Sequence, residues 1–271
     1  MKRNQSRVSI VLPFYCAGRY LAEAIESILN QEGYSDWHLF LVNDGSEKPD
    51  VAIAKEFCSA FPERIVLLEH PDRQRHGISA SRNLAISRAQ SEFIAFLDAD
   101  DSWYRHKLRS QIAALDRHPE AGMIYGPALR WRSWNGGSDV FVPASVDGFG
   151  SDCLVPGSAL LATFLRDEAL TPCIGSVIIR RATLLSVGCF EQQFWGLYDD
   201  QVLYAKLCDR ARIWVSSDCV SRYRKHAQSC CGQAEALGSG LEMRAQFLDW
   251  LNQYQQKQQD EAANRLPLLE R

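Results

Sequence analysis

The stretch "EFIAFLDADDSW", residues 92–103, sets an apolar run directly against three carboxylates. Phe93, Ile94, Ala95, Phe96 and Leu97 form the kind of run that a parallel sheet buries on both faces, and it stops at Asp98, Asp100 and Asp101. Anions this close repel one another and each is costly to desolvate, so the arrangement makes most sense beside a bound cation. By themselves the acids also fit a solvated turn, with Asp101 capping a helix that starts near Trp103.

Working outward, short apolar runs recur with helical patterns between them: "VSIVLP" from Val8, "HLFLV" from His38, "RIVLLE" from Arg64 and "GMIYG" from Gly122. Between the first two, Tyr20, Leu21, Ala24, Ile25, Ile28 and Leu29 repeat at helical spacing. "ISASRNLAISRAQ" does the same through Ile78, Leu84, Ala85 and Ala89. This βαβα rhythm predicts an α/β fold with a doubly wound, mainly parallel sheet and ligands at the carboxyl ends of its strands. "GSVIIRR" and "ARIWVSS" read as two further strands, and residues 134–158, rich in Gly, Pro, Ser and Asp, as a long excursion. From about Glu235, Leu241, Phe247, Leu248, Leu251 and Tyr254 fall on a helical repeat before the polar "QQKQQDEAANR". A C-terminal helix is predicted, its apolar stripe packed either on the body or on a second subunit as a homodimer contact.

The 271 residues are 46% hydrophobic and 23% charged, enough to bury a large core. A formal charge of −3 gives no global attraction to nucleic acid, so phosphate affinity must be local. Nine cysteines without metal-ligand spacing fit reduced thiols in a cytoplasm. No signal peptide or membrane span is read, and peripheral membrane association stays open.

Three strand ends then have to be read together. After the first strand, "PFYCAGRY" offers Pro13, Phe14 and Tyr15, with Tyr15 placed to stack on a planar ligand. After the second, "VNDGSEKP" presents Asp44 from a tight polar turn as a hydrogen-bond acceptor. After the fourth comes "LDADD". A lone "DGS" is commonly no more than a turn, whereas these segments in this order are specific. Together with "GISASRNLAISRAQSEFIAFLDADD" and "YDDQVLYAKL", they make the chain resemble a family 2 glycosyltransferase of the GT-A fold over about residues 7–230.

The resemblance implies a nucleotide-sugar donor, with a UDP-sugar favoured, a Mn²⁺ or Mg²⁺ ion, and a sugar or glycan-type acceptor. It places the nucleobase against Asp44 and the pocket of Pro13 to Tyr15, ribose or sugar against Asp98, the metal on Asp100, and phosphate near Arg82 of "SRN". "HPDRQRH", residues 70–76, adds cations that equally suit a solvated loop. Breaking a glycosidic bond to a nucleoside diphosphate builds charge on the leaving phosphate, which a hard divalent ion on oxygen ligands offsets. The acid pair of "WGLYDDQVLYAKL" starts a helix, where its charges also simply suit the helix dipole. By likeness to the usual "ED" pair, the second acid, Asp200, is the general base, with Asp199 where Glu is common. In "RYRKHAQS", residues 222–229, His226 is an additional metal or diphosphate contact by the same likeness.

"QxxRW" is absent from the sequence, so a single transfer is expected, with inversion implied by the resemblance. The expected division is a transferase domain over residues 1–232, with a nucleotide-binding half at about 7–127 and an acceptor half at about 128–232, followed by a helical tail over 233–271. The loop-rich segment from about Trp134 to Leu170 is expected to shape the acceptor side. Two rivals remain. A haloacid-dehalogenase-like phosphohydrolase also carries "DxD" after a strand, but usually with Thr or Val two residues on and on the first strand. A non-catalytic nucleotide-sugar-binding protein would keep the fold without turnover.

Overall fold

A computed structural model describes residues 6–269 except 145 and 147, with side chains described as far as residue 260. The elements are β1 (Val8–Phe14), α1 (Leu21–Leu29), β2 (Trp37–Asn43), α2 (Lys48–Ala60), β3 (Ile65–Glu69), α3 (Ile78–Arg88), β4 (Phe93–Phe96), β5 (Ser102–Trp103), α4 (Lys107–Arg117), β6 (Ala121–Tyr125) and β7 (Ala128–Trp131). They continue through β8 (Val140–Val142), β9 (Cys153–Pro156), α5 (Gly157–Leu165), β10 (Val177–Arg180), α6 (Arg181–Ser186), α7 (Asp199–Arg210), β11 (Arg212–Val215), β12 (Ser221–Arg224), α8 (Cys230–Leu237) and α9 (Gly240–Leu269). The large sheet runs β3-β2-β1-β4-β10-β6-β11-β9, and a small one runs β5-β12-β7-β8.

β1 shows why the apolar runs are continuous. Every residue of Val8–Phe14 is buried, since the strand pairs in parallel with β2 on one edge and β4 on the other and both faces are covered. Its one polar side chain is satisfied inside: Ser9 Oγ donates to Ser91 Oγ at 2.8 Å. The covering helices follow from their sequences. α1 turns Leu21, Ala24, Ile25 and Ile28 inward, and α3 lies close because Ser79, Ala80 and Ser81 are small. α5 meets α7 at Gly157, where a Cβ would lie 2.2 Å from the Cys208 carbonyl oxygen, so only glycine permits that approach.

The sheet is mainly parallel at β3-β2-β1-β4, as expected, but β10 enters antiparallel between β4 and β6, and β9 antiparallel beside β11. A strand buried on both faces reads the same in either direction, so the sequence carried no sign of the reversal. Residues 134–158 also differ from a plain excursion. They contain β8 and β9, runs of three and four residues too short to stand out among glycines and prolines. α5 follows within the segment extending to Leu170, packed on α7.

The small sheet governs the site. β12 pairs antiparallel with β5 and parallel with β7, which brings residues 221–224 over the turn after β4. Asp101 therefore caps no helix: Ser102–Trp103 is extended, α4 starts only at Lys107, and the Asp101 carboxylate accepts the Arg224 N–H at 2.8 Å. At the C-terminus, α9 packs on α7 through Phe247 and Leu251, while Leu241 of the same predicted stripe is 83% exposed. The division expected at residues 232 and 233 falls inside α8. Among the described residues, no helix is long and apolar enough to cross a membrane.

Candidate active site

The carboxyl ends of β1, β2 and β4 lie side by side because Phe14 is in register with Asn43 and Val11 with Phe96. Pro13 and Phe14 belong to β1 and are buried, whereas Tyr15 just beyond it is 43% exposed. The Arg75 guanidinium sits 4.1 Å from the Tyr15 ring centroid, so a cation already covers the predicted stacking surface.

Asp44 emerges beside them from the end of β2, buried and engaged by the protein itself. It accepts N–H bonds from His76 at 2.8 Å and Gly77 at 3.0 Å, and the Ser81 hydroxyl at 3.0 Å. Gly77 has φ of +88°, which turns its amide toward the carboxylate just ahead of α3. His70 Nε2 lies 2.9 Å from Ser81 Oγ, and burial holds its pKa below the ordinary value. Asp44 thus fastens the end of β2 to the start of α3, and a nucleobase would have to share this acceptor with the protein.

Arg82, on the second turn of α3, is fully buried. Its Nη2 donates to Asp98 Oδ1 at 2.6 Å and its Nη1 to Asp199 Oδ2. The guanidinium predicted to face phosphate therefore bridges two carboxylates, tying α3 to the end of β4 and the start of α7. Burial pushes Asp98 and Asp199 upward against the pull of Arg82. Asp200 follows as the second residue of α7 and accepts the Gln201 N–H at 2.7 Å. Burial and then the neighbouring Asp199 carboxylate push Asp200 up to about 7. That value suits a group exchanging a proton near neutrality. Among the described residues Asp200 makes no ion pair, whereas Asp199 is paired with Arg82.

Asp100 and His226 meet across 126 positions of sequence, with Asp100 Oδ2 2.9 Å from His226 Nε2. Arg224 builds the contact. Its N–H holds Asp101, its Nε donates to the Asp100 carbonyl at 2.6 Å, and its Nη2 donates to Glu23 Oε2 at 2.5 Å. The Tyr20 and His226 rings lie 4.9 Å apart, with Trp134 edge-on to Tyr20. The sequence reading quoted "RYRKHAQS" without giving Arg224 a role, and it gave no place in the site to Glu23, Tyr20, Ser81 or His70. Its available signal was the short "SRYR" strand, whose antiparallel pairing with Ser102–Trp103 carries Arg224 back over the acidic turn.

One carboxylate and one imidazole fit Mn²⁺ or Mg²⁺ as hard oxygen and borderline nitrogen donors. They do not complete a site alone: among the described residues no three His, Cys, Asp or Glu side chains gather as a ligand set, and Asp98 is committed to Arg82. The remaining ligands would come from donor phosphates and water, as is usual for Mg²⁺ at phosphate sites.

Among curated proteins, the chain is 37% identical over 112 residues to the putative glycosyltransferase EpsE of Bacillus subtilis, covering 41% of this chain and 39% of that one. It is 36% identical over 119 residues to the Escherichia coli protein WfgD, named UDP-Glc:alpha-D-GlcNAc-diphosphoundecaprenol beta-1,3-glucosyltransferase, covering 44% of each. The chain thus spans about two fifths of the length of these relatives. Among solved structures, Staphylococcus aureus TarS 1–349 superposes with a TM-score of 0.64 at 22% identity, over 80% of this chain and 60% of that one. The mannosyltransferase PcManGT of Pyrobaculum calidifontis, solved with GDP-Man and Mn²⁺, gives 0.60 at 17% identity, over 82% and 57%. Both likenesses establish the GT-A-like fold. Residues 9–140, which carry the strand ends with the acidic turn among them, match the model of Glycosyl transferase family 2.

Proposed function

We propose that the protein transfers a single sugar from a nucleoside diphosphate sugar to an acceptor hydroxyl, with inversion at the anomeric carbon and with a divalent metal. The observation that carries this reading is Asp200: a carboxylate pushed up to about 7 at a helix start, beside an arginine clamp committed to its neighbour. In one displacement the acceptor oxygen attacks the anomeric carbon and its proton passes to Asp200. The bond from that carbon to the phosphate oxygen breaks, its electron pair leaving with the nucleoside diphosphate. Attack opposite the leaving group inverts the centre.

Asp100 and His226 would hold the Mn²⁺ or Mg²⁺ ion, which when bound offsets charge on the departing diphosphate. Tyr15, with Pro13 and Phe14 behind it, forms one wall of the nucleobase pocket, and Asp44 its floor. Arg82 keeps Asp98 in place for ribose or sugar contact and keeps Asp199 from competing for the acceptor proton. A UDP-sugar is favoured, supported by the TarS structures solved with UDP and with UDP-GlcNAc and by the name of WfgD. We assign the elements from β1 through β12 to the transferase unit and α8 and α9 to a helical tail, and expect a glycan-type acceptor of the kind used in polysaccharide assembly.

The test is incubation with UDP-glucose, UDP-N-acetylglucosamine and GDP-mannose in Mn²⁺ with saccharide acceptors, following nucleoside diphosphate release and the anomeric configuration of the product by NMR. Transfer with an inverted centre supports the reading. Release of inorganic phosphate instead would favour a phosphohydrolase.

A further inference from the structure

The loop of residues 193–197, which leads into α7, forms one wall of a cavity of about 260 Å³; α9 forms the other through Met243 and Gln246. Pockets for drug-sized ligands run about 300–1,000 Å³, so this one suits a single ring rather than a nucleotide. Of its two aromatic lining residues Phe194 is buried, whereas Trp195 is 55% exposed and is the one tryptophan among the described residues that is mostly open to solvent. The indole is not loose. It rests on Gly77, where a Cβ would come within 3.2 Å of Trp195 Cδ2, so the platform is braced against the turn that holds Asp44.

Gly196 forms the adjoining wall with bare backbone. A Cβ there would lie 3.0 Å from Met243 Cε and 3.4 Å from Cys230 Sγ. Cys230 is the first residue of α8, so this contact sets the start of that helix against the Gly196 wall. Asp200 itself follows Leu197 by only three positions.

The lining has a definite chemistry. An indole face matches the apolar C–H face of a pyranose, and the primary amides of Gln193 and Gln246 each donate and accept, as ring hydroxyls require. No charged side chain lines the cavity, which disfavours a phosphate and favours a neutral sugar. We propose that this cavity is the subsite for the pyranose ring of the acceptor, with Trp195 as its stacking platform and Gln246 of α9 as its polar wall. The inference rests on the transferase reading above, and it moves acceptor recognition from the 134–170 segment to the junction of the base loop with the C-terminal helix.

The experiment compares the full chain with its Trp195→Ala, Trp195→Phe and Gln246→Ala variants, all in UDP and Mn²⁺. Binding of methyl β-D-glucopyranoside and methyl N-acetyl-β-D-glucosaminide is read by saturation-transfer NMR, which needs no turnover, and UDP affinity by calorimetry. The expected result is saturation of at least one glycoside by the wild type and at least about tenfold weaker binding to Trp195→Ala. Gln246→Ala should weaken binding several-fold and Trp195→Phe should restore most of it, with UDP affinity unchanged throughout. A wild type that binds neither glycoside, or a Trp195→Ala variant that binds as the wild type does, overturns the proposal. A loss confined to UDP-sugar over UDP would seat the donor sugar there and overturn the acceptor assignment. Glycoside binding through Trp195 without nucleoside diphosphate release from any nucleotide sugar would instead sink the transferase reading and leave the pyranose subsite standing.

Discussion

His226 Nε2 lies 2.9 Å from Asp100 Oδ2, a contact made by two strand ends from opposite halves of the chain. Neither side chain is a complete metal site, so the pair should act only with a phosphate ligand present. Asp100→Asn and His226→Ala are each expected to weaken UDP binding at least about tenfold in Mn²⁺ while leaving metal-free UDP binding near wild type. Titration calorimetry with and without Mn²⁺ checks this, and equal affinities in Mn²⁺ would remove the pair from the metal shell.

Arg82 is enclosed by two carboxylates, so its loss should show first in stability. Arg82→Met would leave Asp98 and Asp199 without their cation. Breaking a buried pair in this way costs about 3–5 kcal/mol. The carboxylates of the variant would sit above their unfolded pKa values, so stability is retained at low pH and lost as pH rises through the folded values. Denaturant unfolding should therefore show a deficit that is large at pH 8 and shrinks at pH 5. A pH-independent deficit would mean that packing against Phe190, not charge, is what the arginine supplies.

Asp44 accepts three backbone or hydroxyl donors in a buried setting. An amide in its place would turn an N–H₂ toward one of them. Asp44→Asn should lower unfolding stability by about 1–3 kcal/mol even without nucleotide, the cost of a buried group left unpaired. Chemical denaturation of the nucleotide-free protein measures it. Unchanged stability together with a selective loss of uridine diphosphate would show instead that the carboxylate mainly reads the base.

The fold was legible because its strands are long apolar runs ended by turn chemistry. Val8–Phe14 and Phe93–Phe96 could be read directly, while the antiparallel β10 could not, since burial on both faces erases strand direction. The acids of the site were legible for the same reason: polar residues at strand ends stand out against the runs. What they bind within the protein was not. Nothing local in "SRN" says that Arg82 reaches Asp199, 117 positions away, and nothing in "VNDGS" says that the Asp44 acceptor would already be taken by the amides of residues 76 and 77. Those partners are products of topology. The apolar stripe of the C-terminal helix packs on the body at Phe247 and Leu251, a choice its periodicity left open.

Asp200 should impose its own pH dependence. Its folded pKa, raised to about 7, makes it an acid below neutrality, so turnover at saturating donor should climb as pH rises through about 7 and then level. Linkage gives the opposite trend for stability: the raised folded pKa favours the protonated fold, and this contribution is lost as pH rises from the unfolded value near 4 through about 7. Asp200→Asn should accordingly melt higher than wild type at pH 8 and at the same temperature below pH 4. Differential scanning calorimetry at the two pH values checks the sign.

The most direct measurement is the transfer rate of Asp200→Asn against Asp199→Asn at saturating donor and Mn²⁺, with UDP affinity measured on the same preparations. The two variants remove the same charge from the same helix start, but only Asp199 is held by Arg82. Loss of a general base costs about 10² to 10⁴ in rate. Asp200→Asn should therefore slow transfer by at least about a hundredfold with UDP affinity near wild type, while Asp199→Asn, disturbing the clamp and not the base, should keep a larger share of activity and lose stability. Near wild-type transfer by Asp200→Asn would contradict the account, whether or not Asp199→Asn is inactive.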